Sequence, residues 1–223
     1  MKNQKHIVSF SGGKDSTAML LRMIELDMRI DEIIFCDTGK EFPQMYSHIA
    51  EVEAYIERKI TRLKDDKGFF VHFEKYGWMN HNFRWCTTTL KVQHINRYLK
   101  QYKNRVEYVG IAKDEEHRTK KKSKKCIKYP LIDWGWTEKD ALNYCYSKGF
   151  KWSGLYGKFS RVSCYLCPLQ RIGELRVIYN EYPELWADML YLDALSHRKF
   201  RSDYSLQELE TWFYNEKRQL QLF

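Results

Sequence analysis

The sequence predicts an α/β fold: a mostly parallel sheet with flanking helices, followed by a helical C-terminal region. Short apolar, β-branched runs alternate with longer stretches in which apolar residues recur at helical spacing. The first run, at residues 7–10, leads through two glycines into a helical stretch over residues 17–26. From Leu169 onward the apolar residues recur only at helical spacing. Strands that are connected by crossover helices lie parallel in one sheet, which is the basis of this fold class.

The loop between the first strand and the first helix is typical of an anion site. Residues 11–16 have the sequence Ser-Gly-Gly-Lys-Asp-Ser. A strand–loop–helix junction directs backbone N–H groups and the positive end of the helix dipole at one point, and Gly12 and Gly13 allow a close approach. The spacing is not that of a Walker loop. An ordinary turn capped by Ser16 is the alternative, but it would not need a lysine and an aspartate as well. The pattern therefore predicts a phosphate-binding loop.

The second strand, predicted over residues 32–36, is followed by polar residues at its carboxyl end. These are Asp37, Thr38 and Gly39. Open α/β sheets bind ligands beyond the carboxyl ends of their strands, so this segment is expected beside the first loop. A plain turn is the alternative interpretation.

The remaining elements follow in chain order. Helical spacing over residues 44–63 predicts a crossover helix, and apolar runs at residues 69–73 and 106–111 predict two more strands. Thr137 is placed to cap a helix that extends to Tyr146. Three apolar stripes predict packed helices in the C-terminal region: Leu169, Ile172, Leu175 and Ile178; Leu185, Trp186, Met189 and Leu192; Leu206, Leu209, Trp212 and Phe213. We therefore expect a nucleotide-binding α/β domain over residues 1–168 and a helical region over residues 169–223 that packs on it.

Composition limits the class of protein. A chain of 223 residues suits one α/β domain, or one domain with a small appendage. The sequence has no long apolar stretch and no signal-peptide pattern, so we expect a soluble cytoplasmic protein without a membrane partner. In that compartment the six cysteines are expected to be thiols or metal ligands rather than disulfides.

The net charge of +9 comes largely from one segment. Between residues 118 and 128 it contains seven basic residues and no acid: Arg118, Lys120, Lys121, Lys122, Lys124, Lys125 and Lys128. Without these seven positive charges the net charge of the whole chain would be +2. The segment is a candidate for binding a polyanion such as tRNA or DNA, or for covering a small anionic substrate.

A C-x-x-C pair predicts a metal site. Cys164 and Cys167 have the spacing that brings two thiolates to one metal, and a proline follows the second. Four-coordination needs two more ligands, for which Cys86 and Cys126 are the candidates. Four sulfur ligands suit zinc or a four-iron cluster. The alternatives are a packed turn and a redox thiol pair.

Four ordered segments resemble the phosphoadenosine-phosphosulfate (PAPS) reductase branch of the ATP pyrophosphatase (PP-loop) superfamily. The loop at residues 11–16 matches S-G-G-x-D-S, and residues 37–43 match D-T-G-x-x-F-P. The segment from Cys86 to Lys91 is similar to C-T-x-x-x-K. The block that begins at Gly110 resembles G-I-R-x-D-E-x-x-R, with Lys113 in place of an arginine. The resemblance covers most of residues 7–169.

This resemblance implies a Rossmann-like, adenine nucleotide alpha hydrolase-like fold that binds ATP with Mg²⁺. The implied nucleotide-binding residues are Ser9, Ser11, Gly12, Gly13, Lys14, Asp15, Ser16, Asp37, Thr38, Gly39 and Gly110. The implied catalytic residues are Lys14, Asp15, Asp114 and Arg118, with Asp114 and Glu115 holding Mg²⁺ or orienting Arg118. Gly110 would let adenine approach the backbone. Related proteins often carry an iron–sulfur cluster, which favours a [4Fe-4S] cluster over Zn²⁺ at the cysteines.

The function predicted from the resemblance is an ATP-dependent adenylating sulfurtransferase that releases pyrophosphate. Thioredoxin-dependent PAPS reductases use a C-terminal cysteine motif, and this sequence has no cysteine after Cys167. Classical sulfate reduction is therefore not expected. Two alternatives stay open: a reductase of adenylyl-sulfate substrates that uses an internal cysteine, and a non-catalytic nucleotide- or nucleic-acid-binding protein with a structural metal. The sequence leaves the acceptor, the metal and the oligomeric state open.

Overall fold

The computed structural model describes residues 4–119 and 126–220 and confirms the α/β class. Five strands form one sheet in the order β3-β2-β1-β4-β5, and every neighbouring pair is parallel. The strands are β1 (Lys5–Phe10), β2 (Glu32–Asp37), β3 (Thr61–Lys64), β4 (Arg105–Val109) and β5 (Ile127–Lys128). The central strand β1 pairs with β2 and β4, and Ile7, Val8 and Phe10 on it are buried because both neighbours and the flanking helices cover them.

Helices connect and flank the strands. In chain order they are α1 (Lys14–Glu25), α2 (Pro43–Ile56), α3 (Gly68–Tyr76), α4 (Gln93–Leu99), α5 (Pro130–Asp133), α6 (Glu138–Ser147), α7 (Ile172–Glu181), α8 (Pro183–Leu195) and α9 (Leu206–Leu220). A π-helical turn covers Cys86–Val92, and two 3-10 turns cover Lys113–Arg118 and Trp152–Gly157. None of the described helices has both the length and the apolar composition needed to cross a bilayer.

The chain divides into two compact units. One contains the sheet and consists of Met1–Asp37, Glu41–Lys64 and Gln93–Ser163; we call it the sheet unit. The other consists of Thr38–Lys40, Asp65–Val92 and Cys164–Phe223, and contains α3 and α7 to α9; we call it the helical unit. The domain boundary at residue 168 stays a prediction.

Two predicted elements are wrong. The predicted strand at residues 69–73 is the helix α3, in which Phe69 and Phe73 lie one turn apart with stacked rings 5.5 Å between centroids. The predicted helix over residues 44–63 ends at Ile56, because Glu57 adopts a left-handed conformation with φ 52°. The strand β3 follows within the range predicted as helix.

Other local predictions are confirmed. Thr137 caps α6 through a capping box with Asp140. The three C-terminal helices form near the predicted stripes, and most stripe residues are buried. Trp212 is an exception, with 37% of its surface exposed, because the buried side of α9 is centred on Leu209 and Phe213.

Candidate functional site

The phosphate-binding loop predicted from the sequence forms the turn between β1 and α1. Gly12 has φ +77°, which favours glycine. A Cβ atom at this position would also lie 3.1 Å from Met45 Cε and 3.2 Å from Ile49 Cγ1 on α2. Both the backbone conformation and the packing against α2 therefore require glycine here.

The side chain of Ser16 stabilises this loop. This side chain is buried, and its Oγ donates to the carbonyl oxygen of Gly13 at 3.0 Å. The backbone N–H of Ser11 donates to the same Oγ at 3.1 Å, and the Oγ of Ser11 lies 3.0 Å from it. These hydrogen bonds hold the loop in one conformation, so little conformational freedom would be lost on binding an anion.

Lys14 and Asp15 begin α1 and form a charged group with Glu138, the first residue of α6. Lys14 Nζ donates to Asp15 Oδ2 at 3.0 Å and also contacts a carboxylate oxygen of Glu138. Burial lowers the pKa of Lys14, but Asp15 and Glu138 raise it by more, so its net pKa lies above the ordinary value. Lys14 therefore stays charged at physiological pH although only 8% of its surface is exposed.

The negative charge of the Asp15 carboxylate is poorly compensated by its surroundings. Burial raises the pKa of this carboxyl to about 6; Lys14 opposes this rise, and Glu138 and Glu115 add to it. Its second oxygen, Oδ1, is buried and has no hydrogen-bond partner among the described residues. An unpaired buried carboxylate oxygen is costly, and it is the kind of ligand that Mg²⁺ prefers.

Two aromatic residues that sequence reasoning missed also contact the loop. Trp152 Nε1 donates to the carbonyl oxygen of Gly12 at 2.8 Å. The hydroxyl of Tyr156 accepts a hydrogen bond of 2.8 Å from the backbone N–H of Lys14. Trp152 and Ser153 have positive φ values of 47° and 50°, a left-handed conformation that residues other than glycine seldom adopt. The only sequence signal was a stretch rich in aromatics and glycine at residues 152–157.

The predicted residues at the strand ends have defined partners. Ser9 Oγ donates to Glu107 Oε1 at 2.8 Å, a contact between β1 and β4. Asp37 Oδ1 accepts a hydrogen bond of 2.7 Å from the Tyr46 hydroxyl, whose pKa is raised by burial and by this carboxylate. Their roles in nucleotide binding stay predictions.

The backbone at the start of α1 explains why residue 110 is a glycine. A Cβ atom there would lie 2.8 Å from both Cα and N of Ser16. The end of β4 therefore packs directly against the start of α1, and only glycine fits. The predicted approach of adenine to Gly110 is not needed to explain this residue, and it stays a prediction.

Asp114 is linked to the loop through Glu138. The backbone N–H of Glu138 donates to Asp114 Oδ1 at 3.1 Å, and the Glu138 side chain contacts Lys14. Glu115 forms an ion pair with Arg118. The structure thus connects Asp114 to Lys14 and pairs Arg118 with Glu115, and the catalytic roles of Asp114 and Arg118 stay predictions. Lys120, Lys121, Lys122, Lys124 and Lys125 lie outside the described residues.

In the helical unit, the predicted nucleotide-contact residue Thr38 lies beside the C-x-x-C turn. Its Oγ1 is 3.5 Å from Cys164 Sγ. The carbonyl oxygen of Lys40 accepts a hydrogen bond from the Tyr165 N–H at 3.3 Å. Lys40 Nζ and the Tyr165 hydroxyl both bind Asp188 Oδ2, at 2.7 and 2.5 Å. Gly39, the third predicted residue of this segment, has φ +76°.

Three of the four predicted cysteine ligands, Cys86, Cys164 and Cys167, belong to the helical unit. Burial raises the pKa of Cys86, and the neighbouring Cys167 thiol raises it further. Cys126 belongs to the sheet unit, where its carbonyl oxygen accepts a 2.7 Å hydrogen bond from the Glu107 N–H. Within residues 4–119 and 126–220, no group of three or more His, Cys, Asp or Glu side chains is arranged to hold a metal. The four-cysteine site stays a prediction.

Residues 5–170 match the phosphoadenosine phosphosulfate reductase domain family. The chain is also similar to two uncharacterised proteins of Methanocaldococcus jannaschii. It is 30% identical to one, over 81% of this chain and 39% of that protein. It is 31% identical to the other, over 85% of this chain and 49% of that protein. The chain thus spans less than half the length of these curated relatives.

One solved structure shares the fold, and a second is a weaker match. A phosphoadenylyl-sulfate reductase from Candida auris, in a phosphate complex, matches with a TM-score of 0.52 and 19% identity, covering 70% of this chain and 80% of that one. A U34-tRNA thiolase from Methanococcus maripaludis with its [4Fe-4S] cluster matches with a TM-score of 0.47 and 18% identity, covering 88% and 73%. At that score the second likeness supports no conclusion about this chain.

Proposed function

Since this chain belongs to the phosphoadenosine phosphosulfate reductase domain family, we propose that it is an ATP-dependent enzyme that adenylates an acceptor and releases pyrophosphate. The observation that carries the proposal is the charged group at the start of α1. Lys14 binds both Asp15 and Glu138 there, directly after a Ser-Gly-Gly turn that Ser16 stabilises. A structural turn gains nothing from a buried, poorly compensated aspartate, whereas a site for a nucleotide and a cation does.

The loop would bind the phosphates through backbone N–H groups at the start of α1. An oxygen of the acceptor would attack the α-phosphorus of ATP, and the bond from that phosphorus to the bridging oxygen would break. Pyrophosphate leaves with the electron pair of that bond. Lys14 remains protonated because its pKa is raised, so it can neutralise charge that develops on the leaving group.

The residues at the loop fit Mg²⁺. Asp15 offers a buried oxygen without a hydrogen-bond partner in the described part of the chain, and Asp37 offers a second carboxylate at the end of β2. Mg²⁺ binds such oxygen ligands, and when bound it supplies charge neutralisation for the phosphates. A cation there would also favour the ionised form of Asp15.

The second part of the proposal is sulfur transfer. The adenylated acceptor would be attacked by a sulfur nucleophile, with AMP as the leaving group. We propose Cys86, Cys126, Cys164 and Cys167 as ligands of a [4Fe-4S] cluster or Zn²⁺, supported by the proximity of Cys86 to Cys167 and by the C-x-x-C spacing. Among the described residues, no group of three or more such side chains is arranged to hold a metal. A nucleic acid acceptor is proposed from the basic segment that begins at Arg118.

Calorimetric titration with ATP and MgCl₂ tests the nucleotide part. Wild-type protein should bind, and Lys14→Met should bind at least tenfold more weakly because the phosphates lose a buried cation. Lys100→Met is the matched control, since Lys100 is an exposed lysine of the sheet unit and belongs to none of the four segments that resemble the family. Release of pyrophosphate on addition of tRNA or DNA, and of AMP once sulfide is also added, then tests turnover. Absence of ATP binding by the wild type would refute the proposal, and binding without turnover would favour a regulatory nucleotide-binding protein.

A reductase of adenylyl sulfates that uses an internal cysteine is the second candidate, because burial and Cys167, a cysteine of the same unit, both raise the pKa of Cys86. Two thiols that become a disulfide release the two electrons needed to reduce a sulfonyl group to sulfite. Incubation of the reduced protein with adenylyl sulfate should then yield one sulfite for each pair of thiols lost. The Cys86→Ser variant should yield none.

A further inference from the structure

The helical unit contains a cleft that the proposed function does not use. Its volume is about 940 Å³. Three segments line it: Trp78 with residues 80–83, residues 168–171 after the second cysteine of the C-x-x-C turn, and residues 198–203. A volume of this size holds a ligand as large as a nucleotide.

Hydrogen bonds connect two of the three segments that form the walls of the cleft, the one with Trp78 and the one with residues 198–203. Trp78 Nε1 donates to Asp193 Oδ1 at 2.7 Å, and its backbone N–H donates to Ser196 Oγ at 3.2 Å. That hydroxyl in turn donates to the carbonyl oxygen of Arg198 at 2.8 Å. Gly77 has φ +61°, and a Cβ atom there would lie 2.9 Å from Ser196 Oγ. The walls are therefore held in place before any ligand arrives.

Arg201 fixes the third wall. Its Nη1 donates to the carbonyl oxygens of Pro168 and Gln170, at 2.7 and 2.8 Å. Its Nε and Nη2 bind the two oxygens of Asp203, each at 2.8 Å. Arg201 thus serves the structure, and its charge is matched by Asp203.

The cleft carries an excess of positive charge. Its described lining contains four arginine or lysine residues and one acid, Asp203. Since Arg201 is paired with Asp203, the remaining cations are Arg171, Arg198 and Lys199, and all three are exposed. Lys199 lies 3.5 Å from Glu208, but both side chains are about half exposed, so solvent screens this pair.

The lining also offers groups that recognise bases. The guanidinium of Arg198 lies over the ring of Phe83, 4.7 Å from its centroid. Asn80 and Asn82 bring amide groups to the same wall. Stacked arginine and aromatic groups accept the flat face of a base, and side-chain amides can hydrogen-bond its edge.

We propose that this cleft binds single-stranded nucleic acid, with phosphates on the cations and a base at the Phe83 and Arg198 stack. Inorganic phosphate would fill little of the volume and would not use the aromatic group. An acidic peptide would use the cations but need not present a flat ring to the stack. The proposal does not require adenylation, because none of these residues belongs to the loop at residues 11–16.

Fluorescence anisotropy with a short labelled single-stranded RNA or DNA, without ATP, tests the proposal. The double variant Arg171→Gln/Lys199→Gln should bind at least tenfold more weakly, and the slope of log K against log salt should fall by about 1.4 for two lost phosphate contacts. The matched control is Lys75→Gln/Lys217→Gln, which removes two exposed lysines of the same unit outside the cleft. The control should keep wild-type affinity and slope.

Three further measurements locate the site and identify the ligand. Phe83→Leu should weaken binding about tenfold through lost stacking. Ultraviolet crosslinking and mass spectrometry should place an adduct on the peptide that contains Phe83, whether or not the basic segment from Arg118 also carries one. AMP should compete only at far higher concentration than the oligonucleotide. Equal binding by the Arg171 and Lys199 double variant and the control, an adduct confined to the basic segment, or displacement by AMP at oligonucleotide concentrations would each overturn the proposal. Melting curves confirm that every variant is folded.

Discussion

Asp15 should lower the stability of the metal-free protein at neutral pH. Burial raises the pKa of this carboxyl from 3.8 to about 6. Between these two pH values the folded state binds a proton that the unfolded state has lost, so the free energy of unfolding falls as the pH rises. Each tenfold change in the acid dissociation constant of a group corresponds to about 1.4 kcal/mol. The rise in the Asp15 pKa therefore lowers the free energy of unfolding at neutral pH by about 3 kcal/mol. The stabilising effect of the protonated form is complete below about pH 3.8 and lost above about pH 6.

Asp15→Asn removes the charge and keeps the shape of the side chain. In EDTA and without nucleotide, the variant should be more stable than wild type by up to about 3 kcal/mol at pH 7.5, and the two proteins should converge towards pH 4. Asp140→Asn is a control of opposite sign. The capping contacts with Thr137 lower the pKa of Asp140, so its charge stabilises the fold above the ordinary aspartate pKa, and its loss should destabilise the neutral-pH protein.

Urea unfolding followed by far-ultraviolet circular dichroism, at a series of pH values, measures the difference. The denaturant slopes of variant and wild type must agree for the free energies to be compared. An Asp15→Asn variant that is no more stable than wild type at pH 7.5, or whose advantage does not shrink with acid, would refute the reasoning. The same variant should bind Mg²⁺ and ATP poorly, because the charge that destabilises the fold is the one the site needs.

Three other variants test the site. Gly110→Ala should destabilise the protein by several kcal/mol, about 3 or more, because its Cβ would collide with the backbone of α1; Gly157→Ala, where nothing lies within 4 Å, should be nearly neutral in the same thermal melts. Tyr156→Phe should raise ATP affinity several-fold in calorimetry, because the Lys14 N–H loses its competing acceptor; unchanged affinity would show that phosphate does not use this N–H. Cys86→Ala should lose the metal and sulfide found by analysis of anaerobically purified wild type, and full retention would remove this cysteine from the ligand set.

The sequence predicts the elements whose signals are local. The turn between β1 and α1 and the Thr137 cap of α6 are encoded within a few residues, and both form as expected. The failure at α3 has a physical cause. A short apolar run such as residues 69–73 fits a buried strand or one face of a helix, and only packing decides between them. In the structure Phe69 packs on Phe73 and on Trp85, whose ring centroid is 5.5 Å away.

The sequence predicts those parts of the candidate site whose residues are contiguous in the chain. The residues of the loop were recognised together, but their partners are distant: Glu138 lies 124 residues after Lys14, and Tyr156 lies 142 residues after it. No spacing rule connects such positions, because the sheet topology brings them together. The same limit applies to the cysteines. The C-x-x-C pair is visible in the sequence, whereas the identity of further ligands depends on the tertiary structure.

Gly110 shows that a motif can be recognised before its physical cause is known. The sequence suggested that glycine leaves space for a ligand, but the structure fills that space with the backbone of Ser16. The end of β4 thereby sets the position of the first turn of α1, which carries Lys14 and Asp15. A side chain at Gly110 would move this turn and the charged group with it. The glycine can therefore control nucleotide binding without touching the nucleotide, because it fixes where the loop and the helix N-terminus meet.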